Sequence, residues 1–307
     1  MNKLEELSKE NKENYLRYLK RMTDSMKTST KGLIPIMCAN KENILDVGCG
    51  SGVIMEAIEE VNPKARITGI DLNKEAINKL MQLGKSWKLY HLDLMKLSNQ
   101  KYDAVIYSSV LHEISSYHVD DNKRFTDIPI SEAVRKTNEL LDINGDIILR
   151  DGLLVDKGLQ NKKVLIKFID PKEAIWLYKF RNDFRGFDKL NVDKDITKID
   201  NNTYKVGLTF LKEFLYTYTW GKSSYNREIQ ERFGILDKDT WIKLLEENGF
   251  MIETVIESRE EYEKYLSPKV LIYNLDGTKF MYPMMTILIK AKKNKELVKN
   301  NMLLTKC

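Results

Sequence analysis

A buried-strand pattern that runs directly into a glycine-rich turn constrains this chain more than any other feature. Ile44, Leu45 and Val47 are typical of a short buried strand, and Gly48-Cys49-Gly50-Ser51-Gly52 follows at once. After the turn, apolar residues recur at i, i+3, i+4 and i+7 over residues 54–61, which predicts a helix packed on a sheet. The glycines permit positive φ, and the helix start offers unpaired N–H groups. This order predicts a nucleotide-type cofactor site.

Three acids indicate which cofactor the turn accepts. The glycines alternate, unlike the G-x-G-x-x-G spacing of dinucleotide sites, and Asp46 stands two residues before the first of them. A carboxylate there would repel a pyrophosphate but suits an ammonium group. Asp71 ends a second strand about 20 residues later, where a ribose diol needs an acceptor. Asp93 follows a third strand, where it could meet an adenine amino group. These features favour S-adenosylmethionine.

These residues resemble the class I S-adenosylmethionine-dependent methyltransferases. The resemblance covers roughly residues 40–155, returns at 237–293, and rests on five segments in family order: 45–52, 69–72, 92–94, 102–113 and 140–152. It implies a Rossmann-like α/β fold with a seven-stranded, mostly parallel sheet, helices on both faces and an antiparallel final strand. It also implies that S-adenosyl-L-methionine is the cofactor and S-adenosyl-L-homocysteine the product. The expected cofactor-binding residues are Asp46, Gly48, Cys49, Gly50, Asp71, Leu72, Asp93, Leu94 and Ser108.

Composition excludes several other classes of protein. A hydrophobic content of 42% and a charged content of 31% are typical of a soluble globular chain. No apolar run has the length of a membrane span, and the first residues lack a signal-peptide core. The three cysteines have neither disulfide nor metal-site spacing, so we expect a cytoplasmic protein without a metal centre. We interpret Cys49 as a small side chain that fits the turn rather than a nucleophile.

The remaining pattern divides the chain into a core and additions. Residues 1–40 are predicted to form an N-terminal helical cap, with a solvated arm as the alternative. Residues 41–154 and 237–293 are predicted to form the methyltransferase core. Residues 155–236 form a largely helical insertion that acts as a lid, and residues 294–307 a frayed tail. Within the insertion we predict helices from Pro171 to Phe180 and from Tyr204 to Tyr218. In the core, Ser131 is expected to cap a helix that Gly145 ends.

The reacting residues should follow the fourth and fifth strands, because sites in such sheets lie at the carboxyl ends of the strands. The catalytic candidates are His112, Glu113 and Asp151. A histidine suits proton transfer at neutral pH, although His112 and Glu113 could equally order the loop or the cap. Asp151 could be a base, a substrate anchor or a partner of Arg150.

The insertion is the expected site of substrate choice. It carries 16 Lys and Arg against 11 Asp and Glu and 14 of the 29 aromatic residues, whereas the rest of the chain has 34 charges of each sign. The substrate-binding candidates are Trp220 and Tyr225 for stacking, Arg227 for an anionic group, and Arg150 at the edge of the sheet. The alternative is that these aromatic residues form the core of a helical lid.

Three functions remain open on the sequence. The first is methyl transfer to an oxygen or nitrogen atom of a small or medium polar metabolite, and this metabolite could be an anion. The second is methylation of RNA or a nucleotide, which the basic aromatic insertion favours. The third is a catalytically silent subunit that binds the cofactor and recruits a partner. Ser108-Ser109-Val110-Leu111 is not the Asn/Asp-Pro-Pro-aromatic pattern of enzymes that methylate adenine or glutamine amino groups. Carbon-5 methylation is disfavoured too, because no Pro-Cys pair is present.

Overall fold

The structure is a computed structural model that describes residues 26, 29–119, 124–189 and 192–294. Strands and helices alternate through the first half: α1 (Leu33–Met37), β1 (Asn43–Val47), α2 (Val53–Val61), β2 (Arg66–Asp71), α3 (Lys74–Met81), β3 (Lys88–His91), β4 (Tyr102–Ser108), α4 (Leu111–Tyr117), α5 (Ile128–Leu140) and β5 (Leu141–Gly152). The second half is mixed: β6 (Lys163–Phe168), α6 (Ile175–Asp183), β7 (Thr197–Lys198), β8 (Thr203–Gly207), α7 (Leu208–Trp220), α8 (Tyr225–Glu228), α9 (Lys238–Glu247), β9 (Phe250–Ser258), α10 (Glu260–Leu266), β10 (Val270–Tyr273) and β11 (Thr286–Lys293).

A seven-stranded sheet in the order β3-β2-β1-β4-β5-β11-β9 forms the core. Strands β1 to β5 pair in parallel, and β11 is antiparallel to both β5 and β9. The predicted Rossmann-like fold is confirmed, including the antiparallel final strand. The buried residues of β1 and β4 belong to two separate apolar clusters, one on each face of the sheet. Both faces of the sheet are therefore covered. The order reverses between β1 and β4, so the carboxyl ends of these strands border a crevice.

Local chemistry explains where the core helices begin. The Asn73 side chain accepts hydrogen bonds from the backbone N–H groups of Glu75 and Ala76, so α3 starts there as predicted. Helix α5 starts at Ile128 rather than after Ser131, because Pro129 fits the first turn of a helix. The predicted end at Gly145 is also wrong: α5 ends at Leu140, and the chain enters β5 through an irregular register.

The insertion contains a second sheet that the sequence prediction missed. Strands β10-β6-β8-β7 form an antiparallel sheet, so the prediction of a largely helical insertion needs correction. Residues 204–207 belong to β8, and the helix predicted from Tyr204 begins only at Leu208. Strand β6 alternates buried and less buried residues, as a half-covered strand does. We call β6, β7, β8 and β10 with α6, α7, α8 and α10, together with residues 229–233 after α8, the accessory domain.

The accessory domain also includes residues that were predicted to be core. Strand β10 pairs with β6, and α10 precedes it between the core strands β9 and β11. The core boundary at 237–293 is therefore wrong for residues 260–273. The reason is physical: Val270 and Ile272 on β10 and Leu266 on α10 are buried in the same apolar cluster as α6 and α7.

The structure describes the two ends of the chain only in part. Helix α1 is present, whereas most of the N-terminal helical cap and the frayed tail fall on residues outside the described ranges. Within the described ranges, no helix combines the length and apolarity that crossing a membrane requires.

Candidate active site

The glycine turn after β1 has the backbone conformation that its sequence predicts. Gly48, Gly50 and Gly52 have φ values of 69°, 51° and 76°, which residues other than glycine rarely adopt. A Cβ at Gly48 would lie 2.5 Å from Val110 Cγ2, so glycine also allows the loop after β4 to approach the turn. The N–H groups of Gly48 and Cys49 donate to the Ile70 carbonyl, which ties the turn to β2.

Asp71 lies beside this turn at the end of β2. Its Oδ2 accepts the Gly50 N–H at 2.8 Å, and its Oδ1 accepts the Asn73 N–H at 2.7 Å. A carboxylate has about four lone-pair positions, so about two remain for a further pair of donors. Burial raises the pKa of Asp71, and the backbone donors oppose that rise. The residue is therefore held in place with the capacity to accept two more hydroxyl groups.

Asp46 is the buried acid before the turn. Its side chain is 2% exposed, and its Oδ2 has no hydrogen-bond partner among the described residues. Burial raises the pKa of Asp46 to about 7, and the nearby Lys31 ammonium opposes the rise. Lys31 is itself buried, which lowers its pKa to about 7, with a contribution from Arg150. This pair retains little net charge, and Asp46 keeps an acceptor that an ammonium donor would satisfy.

The other predicted cofactor residues differ in exposure. Leu72 is 52% exposed, while Cys49 and Leu94 are buried. Asp93 Oδ1 accepts the Met95 N–H at 2.9 Å and so caps a short 3₁₀ helix. Ser108 Oγ, at the end of β4, is buried without a hydrogen-bond partner among the described residues. Leu72 thus presents an exposed surface, and Ser108 has a polar atom without a partner among the described residues. Asp93 also has a structural role, because it caps the 3₁₀ helix.

His112 and Asp151 form a buried pair that joins the ends of β4 and β5. His112 Nδ1 lies 2.7 Å from Asp151 Oδ1, and Asp151 Oδ2 accepts the Leu111 N–H at 2.8 Å. Asp151 therefore partners His112 rather than Arg150. The His112 ring stacks on Phe233, with centroids 4.6 Å apart. Gly152 makes this possible, because a Cβ there would lie 2.2 Å from the Phe233 carbonyl oxygen.

The accessory domain completes the site with Glu231. Its Oε2 lies 3.7 Å from His112 Nε2, and its Oε1 accepts the Tyr117 hydroxyl at 2.7 Å. Potential ligand atoms of His112, Glu113 and Glu231 all lie within 4.8 Å of one another, a geometry that a cation could also use. We call His112, Glu113, Asp151 and Glu231 the acidic cluster. It brings all three predicted catalytic residues together.

Charge within the acidic cluster is unequally distributed. Burial alone would lower the pKa of His112, but the Asp151 and Glu231 carboxylates outweigh it and raise that pKa well above its usual range. Burial and the neighbouring Glu231 raise the pKa of Glu113 to about 8, while His112 and Arg227 oppose the rise. Burial also raises the pKa of Glu231, but hydrogen bonding and attraction from His112 reverse the direction and leave it lowered. At neutral pH the site therefore holds an imidazolium, an ionised Glu231 and a neutral Glu113.

The predicted substrate-binding residues occupy three different places. Arg150 is 5% exposed, and its guanidinium donates to Thr30, Ser109 and Glu261, so it connects β5 to α10. Arg227 pairs with Glu228 on α8, with its guanidinium 6.0 Å from the Trp220 ring centroid. Tyr225 begins the same helix, but its hydroxyl donates to Asp183 within the accessory domain. Of the four, Arg227 influences the acidic cluster electrostatically.

Sequence reasoning missed Lys31, Tyr117, Glu228 and Glu231. Glu231 lies three and four residues after Glu228 and Arg227, a spacing that brings charges together on a helix, although the helix itself ends at Glu228. The last substrate-binding candidate predicted in the insertion, Arg227, lies four residues before Glu231. Nothing in the sequence places Tyr117 beside a carboxylate 114 residues away.

A family model matches part of the core. Residues 45–147 match the model described as a methyltransferase domain. These 103 of the 307 residues are thus similar to a methyltransferase domain, and they span β1 to β5 of the sheet. The plantazolicin methyltransferase BamL, solved with a triazolic desmethylPZN analog and SAH, superposes with a TM-score of 0.50 at 14% identity. That alignment covers 92% of this chain and 90% of that one, and it supports the fold of the methyltransferase domain.

Two curated relatives are similar to part of the chain. The release factor glutamine methyltransferase of Fusobacterium nucleatum subsp. nucleatum is 25% identical over 177 residues, covering 52% of this chain and 49% of the relative. The malonyl-(acyl-carrier protein) O-methyltransferase of Legionella pneumophila subsp. pneumophila is 28% identical over 107 residues, covering 33% of each chain. The chain thus matches about half or less of the length of these relatives.

Proposed function

We propose that this chain transfers the methyl group of S-adenosyl-L-methionine to an oxygen or nitrogen atom of a small or medium polar acceptor. The observation that carries the proposal is the acidic cluster at the carboxyl ends of β4 and β5, beside the glycine turn and Asp71. The close approach of Val110, two residues before His112, to Gly48 brings the turn next to the cluster. A cofactor held by the turn would therefore present its methyl group toward the cluster.

The residues present fit that cofactor. Asp71 retains about two acceptor positions for the ribose hydroxyls, and the unpaired Oδ2 of Asp46 would accept from the ammonium of the amino-acid end. When bound, the cofactor supplies an electrophilic methyl on a sulfonium. The chain mainly has to align the acceptor, exclude water and receive a proton.

Glu113 is the group we assign to receive the proton. It is less buried than His112 and Glu231, and a pKa of about 8 suits a base that works near neutral pH. His112, protonated between Asp151 and Glu231, instead holds the two carboxylates in position and limits the negative charge around Glu113. This assignment narrows the earlier alternatives, in which His112 or Glu113 or Asp151 could serve as the base.

The charges of the site favour a neutral or cationic acceptor over an anionic one. Asp151, Glu228 and Glu231 face two positive groups, His112 and Arg227, and Glu113 adds a fourth negative charge when it ionises. Arg227 is engaged by Glu228, so it is not aimed at an acceptor anion. An amine or a hydroxyl is therefore the class of nucleophile we propose.

The glutamine specificity of the first relative is not carried over, because residues 108–111 lack the corresponding pattern. The RNA alternative loses part of its support, since 11 of the 14 aromatic residues of the insertion lie in the buried cluster of the accessory domain. Cys38 and Cys49 are buried free thiols, which supports the proposal that the chain works in the reducing cytoplasm.

The test is transfer of label from methyl-labelled S-adenosylmethionine into fractionated cell extract by the purified chain. We expect label in a ribonuclease-resistant small-molecule fraction. Label in RNA, with binding that weakens steeply as salt rises, would support the second function instead. Binding of S-adenosylhomocysteine without any label transfer would indicate the silent subunit, and competition by NADH would contradict the cofactor assignment.

A further inference from the structure

A half-open cavity of about 380 Å³ lies at the surface of the accessory domain. Helices α6, α7 and α8 supply an aromatic wall that consists of Trp176, Phe214, Tyr218 and Tyr225. Trp176 and Tyr225 meet edge to face with centroids 5.0 Å apart, and Phe214 and Tyr218 stack at 5.0 Å. The volume is in the range of pockets that hold small organic ligands, roughly 300–1,000 Å³. We call this space the aromatic cavity.

Thr217 lines the aromatic cavity between Phe214 and Tyr218. Its side chain is 2% exposed, and its hydroxyl is buried with no hydrogen-bond partner among the residues that the structure describes. A buried hydroxyl without a partner loses the hydrogen bonds that it makes to water, which destabilises the fold unless something compensates. Other buried threonines of α7 show the usual solution, since Thr219 Oγ1 donates to the Leu215 carbonyl at 2.7 Å. The Thr217 hydroxyl thus keeps hydrogen-bonding capacity that no described residue uses.

The charged residues around the aromatic cavity balance. Glu173 pairs with Lys222 at 3.0 Å and accepts the Tyr218 hydroxyl at 3.2 Å. Asp170 and Lys269 add one charge of each sign to the lining. Because the two acids and two lysines cancel, the lining does not select an ion of either sign. Flat aromatic walls favour a flat ring, since aromatic pairs stabilise each other beyond the area they bury.

We propose that the aromatic cavity binds a neutral, planar aromatic or heteroaromatic ring whose polar edge hydrogen-bonds to Thr217. This site is separate from the acidic cluster, although the four-residue helix α8 lies next to both. Its first residue, Tyr225, lines the cavity, and its last, Glu228, lies beside Arg227 and Glu231. The inference does not rest on methyl transfer, because it concerns binding in the absence of cofactor and acceptor.

Indole is the probe, and indene, which has the same shape without the N–H group, is its matched control. Ligand-observed NMR titrations of the full chain should show indole binding about 3–10-fold more tightly than indene, as one added hydrogen bond implies. The variant Thr217→Val keeps the shape of the side chain and removes the hydroxyl. It should bind both probes equally, with an unchanged melting temperature or a slightly higher one.

Trp176→Ala removes one aromatic side chain from the wall and should lower the affinity for both probes by about tenfold. Phe280→Ala is the matched control, since Phe280 is a partly buried aromatic residue that lines a different cavity. It should bind both probes like the wild type. The proposal is overturned if the wild type binds neither probe, if Thr217→Val still prefers indole, or if Phe280→Ala loses as much affinity as Trp176→Ala.

Discussion

The glycine turn and the accessory domain meet at one site but use different parts of the chain to build it. The turn presents backbone N–H groups in conformations that Gly48, Gly50 and Gly52 permit, and one carboxylate, Asp71, holds it in place. The accessory domain instead contributes buried ionisable side chains, Glu228 and Glu231, in pairs with Arg227 and His112. We infer that the first region sets cofactor affinity and the second sets reactivity. Substitutions in the two regions should therefore change different measured quantities.

The largest effect is expected for Glu113→Gln, which removes the proton acceptor and keeps the shape of the side chain. Turnover should fall by about 10²–10⁴-fold, as the loss of general-base catalysis implies. The affinity for S-adenosylhomocysteine, measured by calorimetry, should stay within about threefold. Glu56→Gln, an exposed change on α2, is the matched control and should have wild-type turnover. A parallel loss of turnover and cofactor affinity would show that Glu113 is structural instead.

The second expectation concerns pH. Because the pKa of Glu113 in the folded chain is about 8, its carboxyl is neutral below that pH and cannot accept a proton. Turnover should therefore rise by about tenfold from pH 6 to 7 and about fivefold from pH 7 to 8, and then level off. A rate that is flat across this interval, with an acceptor that does not itself titrate, would exclude Glu113 as the base.

The same shift affects stability, which can be measured before an acceptor is known. The folded pKa of Glu113 is raised from 4.5 to about 8, so its contribution to stability is fully present below pH 4.5 and is lost as the pH rises to 8. Wild type should lose stability relative to Glu113→Gln across that window. Urea unfolding at several pH values measures the difference, and a constant difference would contradict the assigned shift.

The third expectation is specific to the glycine turn. Asp71→Ala removes the acceptor of the Gly50 N–H and the proposed acceptor of the ribose hydroxyls. The affinity for S-adenosylhomocysteine should fall by about 5–150-fold, equivalent to about 1–3 kcal/mol. Tyr225→Phe, a change in the accessory domain away from the acidic cluster, should leave this affinity unchanged. Equal losses in both variants would remove the distinction between the two regions.

A smaller effect is expected for Tyr117→Phe, which deletes the hydrogen bond to Glu231 without emptying space. Turnover should fall by about 2–10-fold, the range for one hydrogen bond, and the affinity for S-adenosylhomocysteine should not change. A loss of affinity instead would mean that Tyr117 supports the cofactor region.

The two regions also differ in how much of their structure and site residues could be predicted from the sequence. The turn, α2 and Asp71 lie within 30 residues, and their glycine spacing and periodicity are local signals, so fold and cofactor residues could be predicted. The acidic cluster combines residues 112–113, 151 and 231, and only folding brings the last of these to the others. Strand β8 was missed because Tyr204 and Val206 continue the apolar pattern of α7, and short apolar runs do not distinguish a strand from a helix.

The aromatic surplus of the insertion shows the same limit. Counting aromatic residues could not separate those that line a ligand site from those that fill a core. In the structure Phe168, Phe180 and Phe210 are fully buried in the accessory core, whereas Trp176 and Tyr225 line the aromatic cavity. Packing against neighbours distant in sequence makes that distinction.

The most direct test of the division between the two regions is a crystal structure of the chain with S-adenosylhomocysteine. We expect the ribose hydroxyls on Asp71, the amino-acid end toward Asp46, and the sulfur directed at the space between Glu113 and Glu231. That space would then have room for an acceptor atom about 3–3.5 Å from the position of the transferred methyl. A ligand whose sulfur points away from Glu113, or one bound while Asp71 contacts none of it, would contradict the proposed site.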